Sequence, residues 1–204
     1  MLSFRFPDKP TRINSDFLLG IREPEWICQG KYDGWRCQIY RDDNQTMLFS
    51  RVGNILSSKT SVPQAIINTV ESLNMPNGTV LDSEFVGPRG RLSPRLYLFD
   101  CLAFNGEWLS KKHFIDRWNI VNRVYAPIFN NQHVCLAETV ESNFLNYFER
   151  LRDQWIDSHK TFTLFEGVVL KRRIGTLILN RSSCSKSAHM FKMKYRENDD
   201  GIKY

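Results

Sequence analysis

Residues 30–36 read Gly30-Lys31-Tyr32-Asp33-Gly34-Trp35-Arg36, and the segment around them decides the fold. Strand-forming residue types dominate from Trp26 to Phe49, with turn signals at Asp33-Gly34 and again at residues 42–44. This pattern predicts three consecutive strands joined by two turns. Taken alone, the Lys-x-Asp-Gly match also fits an ordinary β-turn with an exposed lysine.

The rest of the chain is predicted to mix strands and helices without regular alternation. Apolar residues at helical spacing predict helices within residues 63–73, 110–124 and 138–156. Further strands are predicted over residues 79–86, 95–104, 162–172 and 189–196. Because these elements form no regular βαβ units, we expect an α+β fold with mainly antiparallel sheets. Residues 1–25 are interpreted as an extended lead-in to a single domain that spans residues 1–204.

Composition narrows the classes of protein to consider. Of the 204 residues, 42% are hydrophobic and 25% are charged, which is typical of a globular domain. The five cysteines form no C-x-x-C pair, which argues against a disulfide framework and a zinc site. No membrane span or signal peptide is seen, so we expect an intracellular protein, in the cytoplasm or nucleoid, with no membrane partner. The net charge of +6 favours a polyanionic partner such as nucleic acid.

Five further motifs follow the Lys31 segment. In chain order they are Ser50-Arg51-Val52-Gly53, Leu81-Asp82-Ser83-Glu84-Phe85-Val86, Tyr97-Leu98-Phe99-Asp100-Cys101-Leu102, Glu166-Gly167-Val168-Val169-Leu170-Lys171 and Phe191-Lys192-Met193-Lys194. This ordered series resembles the adenylation domain of ATP-dependent DNA ligases, within the covalent nucleotidyltransferase superfamily that also holds RNA ligases and mRNA capping enzymes. The resemblance covers residues 26–195. It implies an ATP-grasp-like domain with two mainly antiparallel sheets, flanked by helices, and the nucleotide in the groove between them.

The resemblance implies that Lys31 is the catalytic residue and carries AMP covalently. A lysine with a reference pKa of about 10.4 is protonated at neutral pH, so it must be desolvated or placed near other cations before it can attack. Phe99 is expected to stack on adenine, and Lys192 and Lys194, two positions apart on a strand, to face one phosphate. The full set of expected ATP-binding residues is Gln29, Gly30, Arg36, Arg51, Glu84, Phe99, Lys171, Lys192 and Lys194.

Mg²⁺ or Mn²⁺ is the expected metal, because a divalent cation must bridge phosphate oxygens. The resemblance assigns Glu166 to the metal, and Glu84 to the ribose and the metal. Each of these residue types also has a common role without function. A glutamate on a strand is usually solvated, a phenylalanine such as Phe99 usually belongs to the core, and an arginine is usually an exposed charge that aids solubility.

The implied reaction seals nicks with a 3′-hydroxyl and a 5′-phosphate in duplex DNA, one strand of which could be RNA, and a monomer is expected. Candidate contacts to the nucleic-acid backbone are Lys111-Lys112, Arg172-Arg173 and residues 181–186, although such clusters are more often solvated surface. In this family an OB-fold usually follows the last lysine motif. Ten residues follow Lys194, so no OB-fold is expected in this sequence.

Several alternatives stay open. A minimal DNA ligase is the favoured interpretation; the chain could instead be a fragment or one part of a partnered enzyme, and a viral or phage origin fits each case. An RNA or RNA/DNA hybrid ligase and an mRNA capping guanylyltransferase share most of the motifs. A ligase-like domain that binds nucleic acid without catalysis is the alternative outside the enzymes.

Overall fold

The computed structural model describes residues 2–43, 45–56, 62–87, 93–129, 131–157 and 164–195. The helices within these residues are α1 (Gln64–Glu71), α2 (Phe114–Tyr125) and α3 (Phe144–Asp157), and short 3₁₀ helices cover Ser15–Leu19, Glu23–Glu25 and Ala126–Ile128. The strands are β1 (Phe6–Pro7), β2 (Lys9–Arg12), β3 (Trp26–Tyr32), β4 (Trp35–Asp42), β5 (Gln45–Ser50), β6 (Thr79–Val86), β7 (Arg95–Phe104), β8 (Glu107–Trp108), β9 (Val134–Leu136), β10 (Thr139–Val140), β11 (Phe165–Arg172), β12 (Leu179–Asn180) and β13 (Lys186–Lys194).

The first large sheet has the order β5-β4-β6-β7-β8, and β9 runs parallel to β7 beside it. Its other pairings are antiparallel. The β7–β8 turn is formed by Asn105 and Gly106, whose φ angles of 50° and 83° suit a tight hairpin. Helix α2 covers this sheet with the buried side chains of Phe114, Trp118 and Val121, which belong to the larger apolar core.

The second large sheet has the order β10-β3-β11-β13-β2. All its pairings are antiparallel except that of β13 with β2, which is parallel. Helix α3 packs on it through Phe144, Tyr147, Phe148 and Leu151, and these side chains form part of a separate apolar core. A small antiparallel sheet joins β1 and β12.

The predicted α+β class with mainly antiparallel sheets is confirmed. The three strands predicted between Trp26 and Phe49 are β3, β4 and β5. The helix predicted for residues 138–156 was wrong at its start, because β10 occupies its first residues and α3 begins at Phe144. Glu23 explains that start, since its carboxylate accepts hydrogen bonds from the backbone N–H groups of Asn143 (2.9 Å) and Phe144 (2.8 Å).

Two other boundaries also moved. The helix predicted from residue 110 begins at Phe114, and the last predicted strand begins three residues earlier, at Lys186. Residues 1–25, interpreted as an extended lead-in, include the paired strands β1 and β2. Residues 162, 163 and 196 of the predicted strands lie outside the described residues. Within the described part of the chain, no helix is long and apolar enough to cross a membrane.

Candidate active site

A cavity of about 580 Å³ lies between the two large sheets. This volume is within the usual range for small-molecule sites. The cavity contains every residue that the sequence singled out for ATP binding or catalysis, namely Gln29, Gly30, Lys31, Arg36, Arg51, Glu84, Phe99, Glu166, Lys171, Lys192 and Lys194. The fold therefore gathers side chains that are up to 165 positions apart in the sequence.

Strand register explains why the lysines face the same space. Gly167 of β11 lies opposite Lys31 of β3 on one side and opposite Lys194 of β13 on the other. Residues in register across a sheet point to the same face, so Lys31 and Lys194 project together into the cavity. Two residues further along, Val169 pairs in the same way with Gln29 and Lys192.

Glu166 reaches the lysines because β11 has an irregularity at this point. The β11–β3 register shifts between Phe165 and Gly167, which leaves Glu166 as an extra residue and redirects its side chain. Gly167 has a φ of 153°, and an added Cβ would lie 1.9 Å from the backbone oxygen of Met193. Only glycine fits there, which gives a structural reason for the Glu-Gly pair in the sequence.

Glu166 is held between two amino groups. One carboxylate oxygen contacts Lys31 Nζ, and the other lies 2.7 Å from Lys194 Nζ. Burial would raise the pKa of Glu166, but the charges and hydrogen bonds of Lys31 and Lys194 outweigh it and lower the pKa overall. Glu166 is therefore an ionised carboxylate at neutral pH, placed beside the proposed nucleophile.

Arg36 is fixed by a buried carboxylate that the sequence analysis did not assign to the site. Its Nε lies 3.0 Å and 3.2 Å from the two oxygens of Asp82, and its Nη1 donates to the Asp8 carbonyl at 3.3 Å. The guanidinium also lies 6.0 Å from the Phe99 ring centroid. Asp82 thus sets the direction in which Arg36 enters the cavity.

Phe99 is positioned by a second buried charge network. Lys171 Nζ donates to the Phe99 carbonyl at 2.8 Å and lies 4.8 Å from its ring centroid. Asp100 accepts from Arg117 Nε at 2.9 Å and lies 3.7 Å from Lys171 Nζ. Burial lowers the pKa of Lys171 to about 8, against the opposing charge of Asp100. Lys171 therefore contacts both the backbone and the ring of Phe99, which lines the cavity.

Sequence reasoning missed Asp82, Asp100 and Arg117 as site residues. A signal was present for Asp100, which stands in an apolar stretch of β7, where a carboxylate needs a partner. The partner of Asp100 could not be identified from the sequence, because that partner, Arg117, lies on a helix 17 residues later.

Glu84 is a half-buried carboxyl group on the opposite wall of the cavity. Burial raises its pKa to about 7, although Lys31 and Arg36 act in the opposite direction. Across the cavity the side-chain oxygen of Gln29 is buried, with no hydrogen-bond partner among the described residues. A buried acceptor of this kind fits a ligand that brings a donor.

The donor set also fits a hard divalent cation that shares its ligands with phosphate. No group of three or more His, Cys, Asp or Glu side chains that could hold a metal occurs among the described residues. Mg²⁺ is commonly held by one or two carboxylates, with phosphates and waters completing its shell. Glu166 and Glu84 suit that pattern.

The predicted contacts to nucleic acid lie outside the cavity. Lys111 and Lys112 are exposed just before α2, and Lys186 is exposed at the start of β13. Arg172 lies 3.4 Å from Glu25, and Arg173 pairs with Glu141. None of these residues lines the cavity, although Lys186 is the strand neighbour of Lys9, which does.

Cations that converge on one lysine suit the phosphates of a nucleotide, so the fold and the cavity define a nucleotide-binding domain of the nucleotidyltransferase type. The family model for the ATP dependent DNA ligase domain matches residues 9–95 and 88–194. The chain belongs to this family, as its motifs predicted.

Relatives and solved structures agree with this assignment. The chain is 24% identical to the SPbeta prophage-derived DNA ligase-like protein LigB of Bacillus subtilis (strain 168), over 81% of this chain and 63% of the relative. It is 26% identical to the DNA ligase of Lymantria dispar multicapsid nuclear polyhedrosis virus, over 89% of this chain and 34% of the viral protein. The chain thus spans less than two thirds of either relative.

Among solved structures, a mycobacterial DNA ligase D complexed with ATP and MES matches with a TM-score of 0.59 and 21% identity. The match covers 83% of this chain and 54% of that one. At this identity the likeness establishes the shared fold.

Proposed function

We propose that this chain is the adenylation domain of an ATP-dependent polynucleotide ligase that seals nicks in duplex DNA. One observation carries the proposal: the amino group of Lys31 projects into the cavity between the sheets and contacts Glu166, with Lys194 and Lys192 on the same wall. The family membership and the names of the relatives support DNA as the substrate.

In the first step, the Lys31 nitrogen attacks the α-phosphorus of ATP. A P–N bond forms, the bond to the bridging oxygen breaks so that pyrophosphate leaves, and the Lys31 ammonium gives up two protons to solvent, keeping one on the nitrogen. Phosphoryl transfer depends on positioning and on stabilisation of charge. Lys192, Lys194 and Arg36 supply positive charge beside the reacting phosphate, and Phe99 provides the surface on which adenine stacks.

Glu166 and Glu84 would hold Mg²⁺ or Mn²⁺ together with the phosphate oxygens. The bound metal would neutralise phosphate charge and withdraw electron density from phosphorus. Glu166 also has a positioning role, because its two carboxylate oxygens hold the amino groups of Lys31 and Lys194 close together.

The later steps use the same cavity. An oxygen of the 5′-phosphate at a nick attacks the AMP phosphorus and releases Lys31; the 3′-hydroxyl then attacks the 5′-phosphorus, and AMP leaves. We propose that the chain acts as a monomer on a nick in duplex DNA, inside a host cell or a cell infected by a phage or virus.

The test is covalent labelling of Lys31. Purified protein is mixed with Mg²⁺ and with ATP or GTP labelled at the α-phosphate, and label is sought on the denatured polypeptide. We expect label from ATP that is absent from Lys31→Ala and Lys31→Arg and retained by Arg152→Ala, a control on α3 whose side chain is 41% exposed and does not line the cavity. Label on Lys31→Ala would refute the assignment, and label from GTP alone would favour a capping guanylyltransferase.

Substrate choice is tested separately. The labelled protein is chased with nicked DNA, with nicks that carry RNA on one side, and with nicked RNA. Loss of label from the protein and sealing of nicked DNA is the expected result. A protein that transfers AMP only to RNA ends would replace DNA with RNA in the proposal. Protein that binds nicked DNA but never acquires label would indicate a silent binding domain.

A further inference from the structure

The cation set of the cavity extends beyond the motifs to the N-terminal strand. In the five-stranded sheet, β13 carries Lys192 and Lys194, and β2 forms the next and outermost strand. Lys9, at the start of β2, is half-buried and lines the same cavity as Lys31. Lys9 stands outside the six motifs quoted from the sequence.

Strand β2 is firmly attached at this position. The backbone N–H of Lys9 donates to the Ser185 carbonyl at 2.9 Å, and the Thr11 hydroxyl donates to the Ser187 carbonyl at 2.8 Å. At the other end of the strand, the N–H of Ile13 donates to the Lys192 carbonyl at 3.1 Å. Lys9 is therefore presented to the cavity by a fixed backbone.

This arrangement places like charges side by side. Lys9 pairs in register with Lys186, and Arg12 with Lys192, on two neighbouring parallel strands. Like charges in register on adjacent strands destabilise a sheet. Burial lowers the pKa of Lys192, and the positive charges of Lys31, Lys194 and Lys9 lower it further, against the opposing charge of Glu166. A bound polyanion would offset this repulsion.

The carboxylate of Glu166 does not compensate all these charges. Its two oxygens contact Lys31 and Lys194, so its negative charge is engaged by that pair. Lys192 lies on β13 with Lys194, two strands from Lys31, and Lys9 lies on β2, one strand further in the order β3-β11-β13-β2. Lys9 therefore adds a cation to the cavity on β2, the strand of this sheet that lies furthest from the strand of the nucleophile.

The chemistry assigns an occupant to that part of the cavity. When Lys31 attacks the α-phosphorus in line, the leaving group lies on the opposite side of the phosphorus. We propose that Lys9, together with Lys192, binds the β- and γ-phosphates of ATP and the pyrophosphate that leaves. This inference rests on the proposed function and makes the N-terminal edge strand part of the nucleotide site.

Direct binding tests the inference without turnover. Isothermal titration with inorganic pyrophosphate and Mg²⁺ is done on wild type, Lys9→Ala, Lys9→Arg and Arg152→Ala, and repeated with AMP. A charge-assisted hydrogen bond to phosphate is worth about tenfold or more in affinity. We expect Lys9→Ala to weaken pyrophosphate binding by about that factor, Lys9→Arg to restore most of it, and AMP binding to stay unchanged.

Arg152→Ala removes one positive charge outside the cavity and should match wild type in both titrations. Equal pyrophosphate affinity for wild type and Lys9→Ala would overturn the inference, as would absence of binding by wild type. Equal weakening by Arg152→Ala would show an effect of net charge alone and would also overturn it. If Lys31 takes no label but pyrophosphate binding still depends on Lys9, the phosphate site stands and only the ligase proposal fails.

Discussion

Gly167 should be the glycine least tolerant of a side chain, because it forms the irregularity that aims Glu166. The change is Gly167→Ala. Its φ of 153° disfavours any L-residue, at a cost of about 1–3 kcal/mol. The added Cβ would also lie 1.9 Å from the Met193 carbonyl oxygen, so β11 and β13 must separate. Overpacking of this kind costs roughly 1–3 kcal/mol more.

Two other glycines separate these contributions. Gly106 has a φ of 83° with nothing within 4 Å of an added Cβ, so Gly106→Ala should cost about 1–2 kcal/mol from backbone conformation alone. Gly20 has a φ of −107° and equally open surroundings, so Gly20→Ala should change the free energy of unfolding by less than about 1 kcal/mol. Gly167→Ala should lower the free energy of unfolding by about 4 kcal/mol, the sum of the backbone cost and the overpacking cost.

Urea unfolding followed by tryptophan fluorescence measures the three variants on one scale. For a domain of this size, the loss in Gly167→Ala corresponds to a melting temperature lower by roughly 10 °C. Labelling of Lys31 should also slow more in this variant than in Gly106→Ala, because Glu166 would be displaced. If Gly167→Ala and Gly106→Ala lose the same free energy of unfolding, the close contact with Met193 is not what requires glycine, and the reasoning is refuted.

Two further predictions concern the carboxylates of the cavity. The raised pKa of Glu84, about 7 in the folded protein against 4.5 ordinarily, means that folded protein binds this proton more tightly than the unfolded chain. The free energy of unfolding of wild type relative to Glu84→Gln should therefore fall as the pH rises from 4.5 to about 7. If the two proteins show the same dependence of unfolding free energy on pH, this prediction is contradicted. Glu166→Ala should raise the Mg²⁺ concentration needed for half-maximal labelling of Lys31, and an unchanged magnesium titration would remove Glu166 from the metal site.

Strands and turns could be predicted where the residues that determine them are neighbours in the sequence. Strands β3, β4 and β5 follow from strand-forming residues broken by turn signals, and Asn105-Gly106 marks the end of β7. The start of α3 was not predictable, because its first N–H groups are capped by Glu23, about 120 positions earlier in the chain. Helical spacing alone extended the predicted helix across residues that form β10.

The candidate site also contains residues that the sequence could predict and residues that it could not. Lys31, Glu166 and Lys194 could be named from their motifs, and register across three strands brings them together. Asp100 could be noticed as a carboxylate in an apolar stretch of β7, but its partner, like that of Asp82, depends on tertiary structure. An ion pair such as Asp100–Arg117 is buried at 3% and 2% side-chain exposure, so loss of either member would leave an uncompensated charge.

Lys9 shows what a motif cannot reveal. In the sequence it stands between two prolines, Pro7 and Pro10, in a segment that suggests only extended chain. Its meaning comes from a parallel pairing with a strand about 180 positions later, which no short-range pattern encodes. An edge strand is open to such pairing because its backbone groups lack a neighbour on one side. The same pairing that completes the sheet therefore adds a cation to the cavity, so the N-terminal segment belongs to the site as well as to the fold.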